Sequence, residues 1–339
     1  MKTITLLEPG KFEATETEAP QTLKRGEALV RIHQVGICGT DLHAFRGKQP
    51  FFTYPRILGH ELGVEVVEVS ERGNEGIKVG DRCAVEPYLN CGYCFPCRRG
   101  KSNCCESLKV LGVHTDGGMR EFITVPCCKL HRSSKLSYDQ LALVETLGIG
   151  YHAVNRSRLD TDEWALVVGA GPIGLGVMQF AKREGAKVIA LDINAQRLEF
   201  CKKQIGVDET VIADGSAMSK IREITNGDMP VVVFDATGNA TSMQNSFNFP
   251  ANSGRLVFVG LVQDSLTLND PDFHRRELTL LATRNSAPSD FRHVIRNLES
   301  GAIDASPWIT HRVEASQMIE QFPGWLDPAN GVIKAVVSF

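Results

Sequence analysis

The chain has 339 residues, a formal net charge of −3 and a sequence pI near 6.3. This balance excludes a strongly basic or acidic surface, so it gives no support for a nucleic-acid or membrane partner. Hydrophobic residues make up 42% of the sequence, yet no apolar run is long enough to span a bilayer. The length favours two domains over one.

Up to about residue 140 the sequence is typical of short strands and loops. Valines and isoleucines between polar residues predict strands at 27–34 and 63–69, and another strand at 122–125 follows a Gly117-Gly118 turn. An apolar stretch at 141–151 is compatible with a helix that links two domains. The first half is therefore expected to be rich in β-structure.

From residue 164 onward, strand and helix patterns alternate. The predicted strands are 165–168, 187–192, 231–235, 256–259 and 278–282, and the predicted helices include 173–184 and 195–204. This alternation is typical of a parallel, doubly wound α/β sheet. A helix at 290–300 and a last strand at 332–337 are expected to return to the first domain, which makes that domain discontinuous in sequence.

A glycine-rich loop, Gly169-Ala170-Gly171-Pro172-Ile173-Gly174, joins the strand at 165–168 to a helix. Gly169 permits the tight turn, Gly171 lets the backbone approach a pyrophosphate, and Gly174 lets the helix pack closely on the strand. The helix that opens at Pro172 and Ile173 then offers the unpaired N–H groups of its N-terminus to the phosphates, although Pro172 itself has no N–H to donate. The loop therefore predicts a dinucleotide site.

Asp192, at the end of the strand at 187–192, indicates NAD rather than NADP. A carboxylate there accepts hydrogen bonds from the adenosine ribose hydroxyls and repels a 2′-phosphate. Arg197, one helical turn later, either stacks on the adenine or is an ordinary solvated residue. Val259 and Gly260, which end the strand at 256–259, are assigned to the same cofactor site.

Four cysteines, Cys91, Cys94, Cys97 and Cys105, have the spacing of a closed, tetrahedral structural zinc site. Cys104 is adjacent to the last of them, and the seven-residue gap favours Cys105 as the ligand and leaves Cys104 as a free thiol. Ten cysteines in the whole chain are too few for a disulfide scaffold, and no signal-peptide pattern is visible. We therefore expect a reducing, cytoplasmic location.

Two further segments, Gly36-Ile37-Cys38-Gly39-Thr40-Asp41-Leu42-His43 and Gly59-His60-Glu61, carry a family resemblance. With the four cysteines and the glycine loop, they occur in the order found in zinc-dependent medium-chain dehydrogenases, which the chain resembles over its whole length. The resemblance implies a GroES-like, β-rich catalytic domain at 1–147 and 288–339 and a Rossmann NAD-binding domain at 148–287. It also implies two zinc ions per chain and a homodimer or homotetramer.

By this resemblance, Cys38 and His60 bind a catalytic zinc. In the polyol and sugar-acid branch of the family a glutamate near the end of the first domain takes part, and Glu145 matches it. Glu61 and Glu145 are then alternative carboxylates near the metal, one bound directly and the other exchanging with water. Thr146 stands directly after Glu145, where the family usually has proline.

Two residues after the predicted zinc ligand Cys38, Thr40 can accept the proton of the substrate alcohol through its hydroxyl. His43 can then pass that proton to solvent, since its pKa is close to the working pH. Asp41 is interpreted as a helix-start residue. The family also has a glycine three residues after the glutamate of Gly-His-Glu, whereas this chain has Val64 there and Gly63 one step earlier.

The segments Leu111-Gly112-Val113-His114-Thr115-Asp116-Gly117-Gly118 and Thr283-Arg284-Asn285 resemble bacterial sugar-acid dehydrogenases. The resemblance implies NAD-linked oxidation of a secondary hydroxyl of a polyol or of an aldonate similar to L-galactonate or L-gulonate. Arg284 is the first candidate to bind the substrate carboxylate, with Glu145 as a second substrate contact. Weaker candidates are Arg46, Lys48 and Arg120.

Two alternatives stay open from the sequence alone. The chain could oxidise a simpler alcohol or an amino alcohol such as threonine. It could also be a catalytically silent NAD-binding regulator, although such a protein has no need of the complete set Cys38, Thr40, His43 and His60.

Overall fold

The computed structural model describes residues 1–50, 52–71, 73 and 76–339. The chain forms two compact units, Met1–Glu145 with Ser286–Phe339, and Thr146–Asn285. None of the ten cysteines, all of which are described, forms a disulfide. Among the described residues, none of the helices combines the length and apolar character needed to cross a membrane.

The N-terminal part of the first unit consists mainly of strands and loops. Its strands are β1 (Lys2–Glu8), β2 (Lys11–Glu16), β3 (Glu27–Gly36), β4 (Glu61–Val69), β5 (Arg82–Val85), β6 (Tyr88–Leu89), β7 (Lys109–Val110), β8 (Phe122–Pro126) and β9 (Leu130–Arg132). Two short helices, α1 (Gly39–Phe45) and α2 (Phe95–Arg98), interrupt the strands. The strands predicted at 27–34, 63–69 and 122–125 correspond to β3, β4 and β8.

Helix α3 (Tyr138–Ser157) begins in the first unit and ends in the second. The second unit continues in chain order with β10 (Trp164–Val168), α4 (Pro172–Arg183), β11 (Lys187–Asp192), α5 (Ala195–Phe200), β12 (Glu209–Ile212), α6 (Ala217–Ile224), β13 (Val232–Asp235), α7 (Ala240–Ser246), β14 (Arg255–Phe258), α8 (Asp270–Arg275) and β15 (Thr279–Ala282). The helix predicted at 195–204 ends early as α5 and continues as a π turn over Cys201–Ile205.

The chain then returns to the first unit through α9 (Pro288–Glu299), β16 (Ile309–Glu314), α10 (Ala315–Gln321) and β17 (Lys334–Ser338). The main sheet of this unit has the order β16-β17-β3-β4-β5-β9, and β8 also pairs with β3. Because β17 is antiparallel to β3, with Val336 opposite Gly36, the last strand lies beside the segment that leads to α1.

The pairing of β3 with β4 places Gly36 opposite Glu61. A Cβ atom on Gly36 would lie 2.2 Å from Glu61 Oε2, so the absence of a side chain makes room for this carboxylate. On β4, two residues after Glu61, Gly63 faces the carbonyl oxygen of Tyr138. A Cβ atom on Gly63 would lie 2.1 Å from that oxygen. Val64 is fully buried in the core. The chain therefore needs its glycine at position 63.

The second unit contains a six-stranded parallel sheet with the order β12-β11-β10-β13-β14-β15. Its central strands are completely buried, as in Leu166, Ile189 and Val233, because helices cover both faces of such a sheet. The strand order reverses between β10 and β13, where doubly wound proteins bind their ligands. The predicted fold class, a β-rich unit with a parallel α/β unit, is confirmed.

Candidate active site and cofactor cleft

The candidate catalytic centre of the first unit is formed by Cys38, His60 and Glu61. Their ligand atoms, one from each side chain, all lie within 4.8 Å of one another. Cys38 is the N-cap of α1, and Glu61 is the first residue of β4. His60 and Glu61 are 5% and 1% exposed, so the cluster lies in the interior of the unit.

The donor atoms of this cluster fit a zinc ion. Cysteine sulfur, imidazole nitrogen and carboxylate oxygen are the ligands that zinc takes in catalytic sites. Burial alone would lower the pKa of His60, but the acidic groups Asp41, Cys38 and Glu145 raise it well above its ordinary value. The cluster thus concentrates acidic groups whose charge a divalent cation offsets.

Asp41 supports the same interpretation from the far side of the imidazole ring. Its Oδ2 accepts a hydrogen bond of 2.9 Å from the Cys38 N–H, as expected for a residue at the start of a helix. Its Oδ1 lies 3.8 Å from His60 Nδ1, and neither atom has a hydrogen-bond partner within the described part of the chain. A carboxylate at this place is typical of zinc-binding histidines, and the sequence did not indicate it.

Glu61 is also paired with a buried lysine, Lys334, on β17. The Lys334 ammonium lies 2.8 Å and 2.7 Å from the two Glu61 oxygens and 3.0 Å from the Ile37 carbonyl oxygen. Both side chains are 1% exposed. Burial alone would lower the pKa of Lys334, but Glu61 and Cys38 raise it, so the lysine is charged. The two oxygens of Glu61 therefore face both a cation and the candidate ligands.

Glu145 lies near the cluster but is not one of the three grouped ligands. It is 6% exposed, and its carboxyl group interacts electrostatically with His60 and Glu61. Tyr88 donates a short hydrogen bond to Glu145 Oε1. Burial and the neighbouring Glu61 raise the pKa of Glu145, against the opposing effect of His60 and Tyr88. Tyr88 is another residue that the sequence motifs did not reveal.

The two predicted relay residues lie on α1, three positions apart and therefore on the same side of the helix. Thr40 is half-buried, and His43 is partly exposed. Partial burial, together with the charges of Arg46 and Lys48, lowers the pKa of His43. The ring is accordingly neutral near pH 7 and can accept a proton.

The second candidate metal centre is formed by Cys91, Cys94, Cys97 and Cys105. Their sulfur atoms lie within 4.8 Å of one another, and the Cys94 and Cys105 sulfurs are 3.8 Å apart. Cys104 is exposed and outside this group. Four converging sulfurs without a disulfide match a closed tetrahedral zinc site.

N–H groups donate hydrogen bonds to sulfur atoms of the cysteine cluster, which favours negative charge on those sulfurs. The Cys91 N–H lies 3.3 Å from the Cys105 sulfur, and the Asn90 amide lies 3.6 Å from the Cys97 sulfur. Burial opposes ionisation of Cys94, but backbone donors and the neighbouring thiols lower its pKa to about 6. The thiolate, which is the form that binds metal, is thus favoured at Cys94, whereas burial and the hydrogen bond with Cys94 raise the pKa of Cys97 to about 11.

A cleft of about 640 Å³ in the second unit lies at the carboxyl ends of β10, β11 and β13. It is lined by Gly169, Gly171, Asp192 and Arg197, four of the residues that the sequence assigned to a cofactor. Gly169 has a φ of +99°, and apart from residues adjacent in the chain the nearest atom to the position that a Cβ on Gly171 would take is Arg197 Nη1, at 3.9 Å. The backbone there is open to a bound phosphate, so the cleft fits a dinucleotide.

Asp192 accepts a hydrogen bond from the glycine loop in addition to lining the cleft. Its Oδ2 accepts a hydrogen bond of 2.6 Å from the Ala170 N–H, and its Oδ1 accepts one of 2.8 Å from the Asn194 N–H. Gly174 packs on the loop, because a Cβ there would lie 1.8 Å from the Gly169 carbonyl oxygen. Pro172 and Ile173, which belong to the same glycine-rich segment, are the first two residues of helix α4.

The remaining predicted cofactor residues, Val259 and Gly260, are not among those that line this cleft. Their N–H groups donate to the Asp235 carbonyl oxygen, at 2.9 Å and 3.0 Å. The cleft has other lining residues that the motif did not predict, including Ile193, which is 83% exposed, and Thr237. In the sequence, an isoleucine directly after the strand-ending aspartate is the signal that could have indicated an apolar contact for the cofactor.

The predicted substrate-binding cations differ in their surroundings. Arg284 is exposed and follows β15 in the second unit. In the first unit, Arg46 donates to the Leu326 carbonyl oxygen at 2.8 Å, and Arg120 donates to that of Gly117 at 3.1 Å. Lys48 is exposed after α1. The guanidinium groups of Arg46 and Arg120 thus already donate hydrogen bonds to backbone carbonyl oxygens of their own unit.

Comparison with known proteins identifies the family. Residues 24–135 match the alcohol dehydrogenase GroES-like domain, and residues 172–300 match the zinc-binding dehydrogenase domain. The chain is 40% identical over 316 residues to the L-galactonate-5-dehydrogenase of Escherichia coli K12, which covers 92% of each chain. It is 34% identical over 294 residues to the 2-dehydro-3-deoxy-L-galactonate 5-dehydrogenase of Pseudoalteromonas atlantica, covering 86% of this chain and 85% of that one.

A solved structure agrees with these relatives. The crystal structure of a short chain alcohol dehydrogenase from Escherichia coli CFT073, complexed with NADH, has a TM-score of 0.92 at 29% identity. It covers 100% of this chain and 99% of that chain. The chain therefore belongs to the zinc-dependent medium-chain dehydrogenases, in their polyol and sugar-acid branch. It is an oxidoreductase that uses zinc and a nicotinamide dinucleotide and acts on an alcohol, polyol or sugar acid.

Proposed function

We propose that the enzyme oxidises a secondary hydroxyl of an open-chain sugar acid similar to L-galactonate or L-gulonate, with NAD as the hydride acceptor. The observation that carries this proposal is the cluster of Cys38 and His60 with carboxylates in place of a third cysteine. Glu61 belongs to the cluster, and Glu145 lies beside it. The 40% identity to an L-galactonate dehydrogenase supports the substrate class.

In this proposal Cys38 and His60 hold the catalytic zinc, with Glu61 or Glu145 as the additional carboxylate. When bound, zinc supplies a Lewis acid that lowers the pKa of the substrate alcohol. Thr40 receives the alcohol proton on its hydroxyl oxygen and donates its own proton onward, and the neutral His43 ring passes a proton to solvent. These zinc and relay residues lie in the part of the proposed catalytic domain at 1–147. The cofactor residues lie in the proposed NAD-binding domain at 148–287.

The same proposal assigns Gly169, Gly171, Pro172, Ile173 and Gly174 to the pyrophosphate, with Val259 and Gly260 further along the cofactor. Asp192 accepts hydrogen bonds from the adenosine ribose and disfavours NADP, while Arg197 contacts the adenine. Arg284 pairs with the substrate carboxylate, because a guanidinium binds a carboxylate through two parallel hydrogen bonds. Cys91, Cys94, Cys97 and Cys105 hold the structural zinc.

A panel of substrates tests the reaction directly. The zinc-loaded enzyme is mixed with NAD and with L-galactonate, L-gulonate, alditols or L-threonine, and NADH formation is followed by absorbance. We expect the aldonates to have the highest kcat/KM. If only threonine or simple alcohols are oxidised, the sugar-acid proposal is wrong, and if nothing is oxidised while NADH binds, the chain is a silent cofactor-binding protein.

Replacing Cys38 tests the metal assignment within the same assay. Cys38→Ser should abolish turnover while NADH binding, measured by fluorescence, is unchanged. Cys128→Ser is the matched control, because Cys128 is exposed and belongs to neither cysteine-containing cluster. Its activity should equal that of the unaltered enzyme.

The cofactor preference is tested by Asp192→Asn, which removes the carboxylate charge but keeps a side chain of the same shape. We expect the ratio of kcat/KM for NADP to that for NAD to rise about tenfold, or about 1.4 kcal/mol. An unchanged ratio would show that Asp192 does not select the cofactor.

Assembly and location are part of the proposal. β15 is an edge strand of the parallel sheet, and it exposes Leu280. Such an edge favours pairing with a second copy, which supports a homodimer or homotetramer. Ten cysteines without a disulfide, five of them in the two candidate metal clusters, suit the reducing cytoplasm. Sedimentation of the purified enzyme measures the number of subunits.

A further inference from the structure

We propose that Tyr88 is a positioning residue that holds Glu145 beside the catalytic metal without letting it become a ligand. This inference rests on the proposed zinc-dependent function and deepens it, because it assigns different roles to the two carboxylates near Cys38 and His60. Glu61 is the carboxylate that can reach the metal. Glu145 is kept as an acceptor for a water molecule or a substrate hydroxyl.

The geometry of Tyr88 fixes the direction of its hydroxyl group. Tyr88 is 2% exposed and begins the short strand β6, where it is paired with Val110 of β7. Its ring meets the Phe291 ring edge-on, with centroids 6.4 Å apart and an interplanar angle of 79°. Because ring and backbone are both packed, the hydroxyl has little freedom to leave Glu145 Oε1, to which it donates.

The two carboxylates near the metal ligands are held by different partners. Lys334 contacts both oxygens of Glu61, which nevertheless lies within the group of three ligands. Tyr88 engages one oxygen of Glu145, which lies outside that group. A carboxylate whose Oε1 accepts from Tyr88 still offers Oε2 as a second acceptor. Glu145 can therefore accept a hydrogen bond near the reaction centre while one metal position stays open for substrate.

Removal of the Tyr88 hydroxyl should change this arrangement. Tyr88→Phe keeps the ring that packs on Phe291 but leaves a buried carboxylate oxygen without its donor. An unsatisfied buried carboxylate is unfavourable, so Glu145 is expected to turn toward the metal. The variant should gain a ligand at the position that the substrate needs, and kcat should fall while NADH binding stays the same.

Cobalt provides a readout that does not depend on turnover. The protein is loaded with Co²⁺ in place of zinc, without substrate or cofactor, and its visible absorption and its rate of metal release to a chelator are measured. Tyr88→Phe should shift the absorption bands and slow metal release from the catalytic site about tenfold, the scale on which groups around metal ligands act. The four-cysteine cluster contributes equally to all variants.

Three further variants separate a positioning role from a general structural one. Glu145→Gln should keep the unaltered spectrum, because Glu145 is not a ligand. Tyr88→Phe combined with Glu145→Gln should also show that spectrum, because the group that moves onto the metal is gone. Tyr93→Phe is the matched control, since Tyr93 is 72% exposed, and it should change nothing.

Two results would overturn the inference. One is a changed spectrum in Glu145→Gln alone, which would make Glu145 a ligand of the unaltered protein. This measurement decides the question even if Tyr88→Phe does not fold. The other is a Tyr88→Phe spectrum that is unaltered or that stays shifted when Glu145→Gln is added. Failure to oxidise any aldonate would refute the proposed substrate, but it would not affect these metal measurements.

Discussion

Replacing Lys334 by methionine is expected to destabilise the first unit strongly when no metal is bound. Lys334 and Glu61 are each 1% exposed, and the ammonium contacts both carboxylate oxygens at 2.8 Å and 2.7 Å. Removal of one partner from a buried ion pair leaves an uncompensated charge and costs about 3–5 kcal/mol. Lys334 also donates to the Ile37 carbonyl oxygen, which adds a further lost hydrogen bond.

Urea unfolding of the metal-free protein measures this cost. The buried Trp308 and Trp325 both lie in the first unit, so a change in their fluorescence reports on that unit. Lys334→Met should lower the free energy of unfolding by about 3–5 kcal/mol. Lys334→Met combined with Glu61→Gln should lose much less, because the second change removes the stranded charge.

A loss below about 1 kcal/mol in Lys334→Met, the range of an exposed ion pair, would show that Lys334 does not compensate a buried charge on Glu61. The same would follow if the double variant were as unstable as the single one. Zinc should reduce the deficit of the single variant, because a divalent cation near Glu61 replaces part of the missing positive charge.

The remaining predictions concern other parts of the two metal centres. Gly36→Ala should cost about 1–3 kcal/mol and weaken metal binding, because its Cβ would lie 2.2 Å from Glu61 Oε2; urea unfolding and metal titration measure both effects. Cys105→Ser should lower the zinc content by about one ion per chain, whereas Cys104→Ser should leave it unchanged, as measured by metal analysis. His43→Gln should lower kcat by about 10²-fold. Because burial and nearby cations lower the pKa of His43, the unaltered enzyme should stay active to a pH below 6.5, and Lys48→Gln should move the acid limb of kcat/KM upward. An acid limb above 6.5 would contradict this assignment.

Local patterns account for the parts of the structure that the sequence predicted. The whole four-cysteine cluster spans only the 14 positions from Cys91 to Cys105. The short Cys-x-x-Cys steps direct the first three sulfurs to one point, so the cluster depends little on the rest of the fold. The glycine loop is equally local, since one strand, one turn and one helix define it. The seven-residue gap between Cys97 and Cys105 favoured Cys105 over Cys104 as the fourth member, and the structure brings Cys105 together with the other three cysteines.

The residues that surround the catalytic cluster depend on long-range pairing. Lys334 and Glu61 are 273 positions apart, and they meet because β17 pairs with β3, which pairs with β4. Tyr88 and Glu145 are separated by 57 positions. No periodicity or motif encodes such partners, because they follow from the register of the whole sheet. A buried lysine also looks like any surface lysine in a sequence.

The shifted glycine shows how a departure from a family pattern can be explained by the structure. The register of β3 against β4 is irregular between Ile32 and Gln34. Gly63 then faces the Tyr138 carbonyl oxygen, while Val64 packs in the core. The sequence indicated the departure, but only the packing shows that position 63 requires a glycine.

The most direct test of the central claim is the rate of NADH formation from L-galactonate by the zinc-loaded enzyme and by Cys38→Ser. We expect turnover of the aldonate with NAD, a kcat/KM above that for L-threonine, and no turnover by Cys38→Ser despite normal NADH binding. Equal activity of Cys38→Ser, or the absence of any aldonate oxidation by the unaltered enzyme, would contradict it.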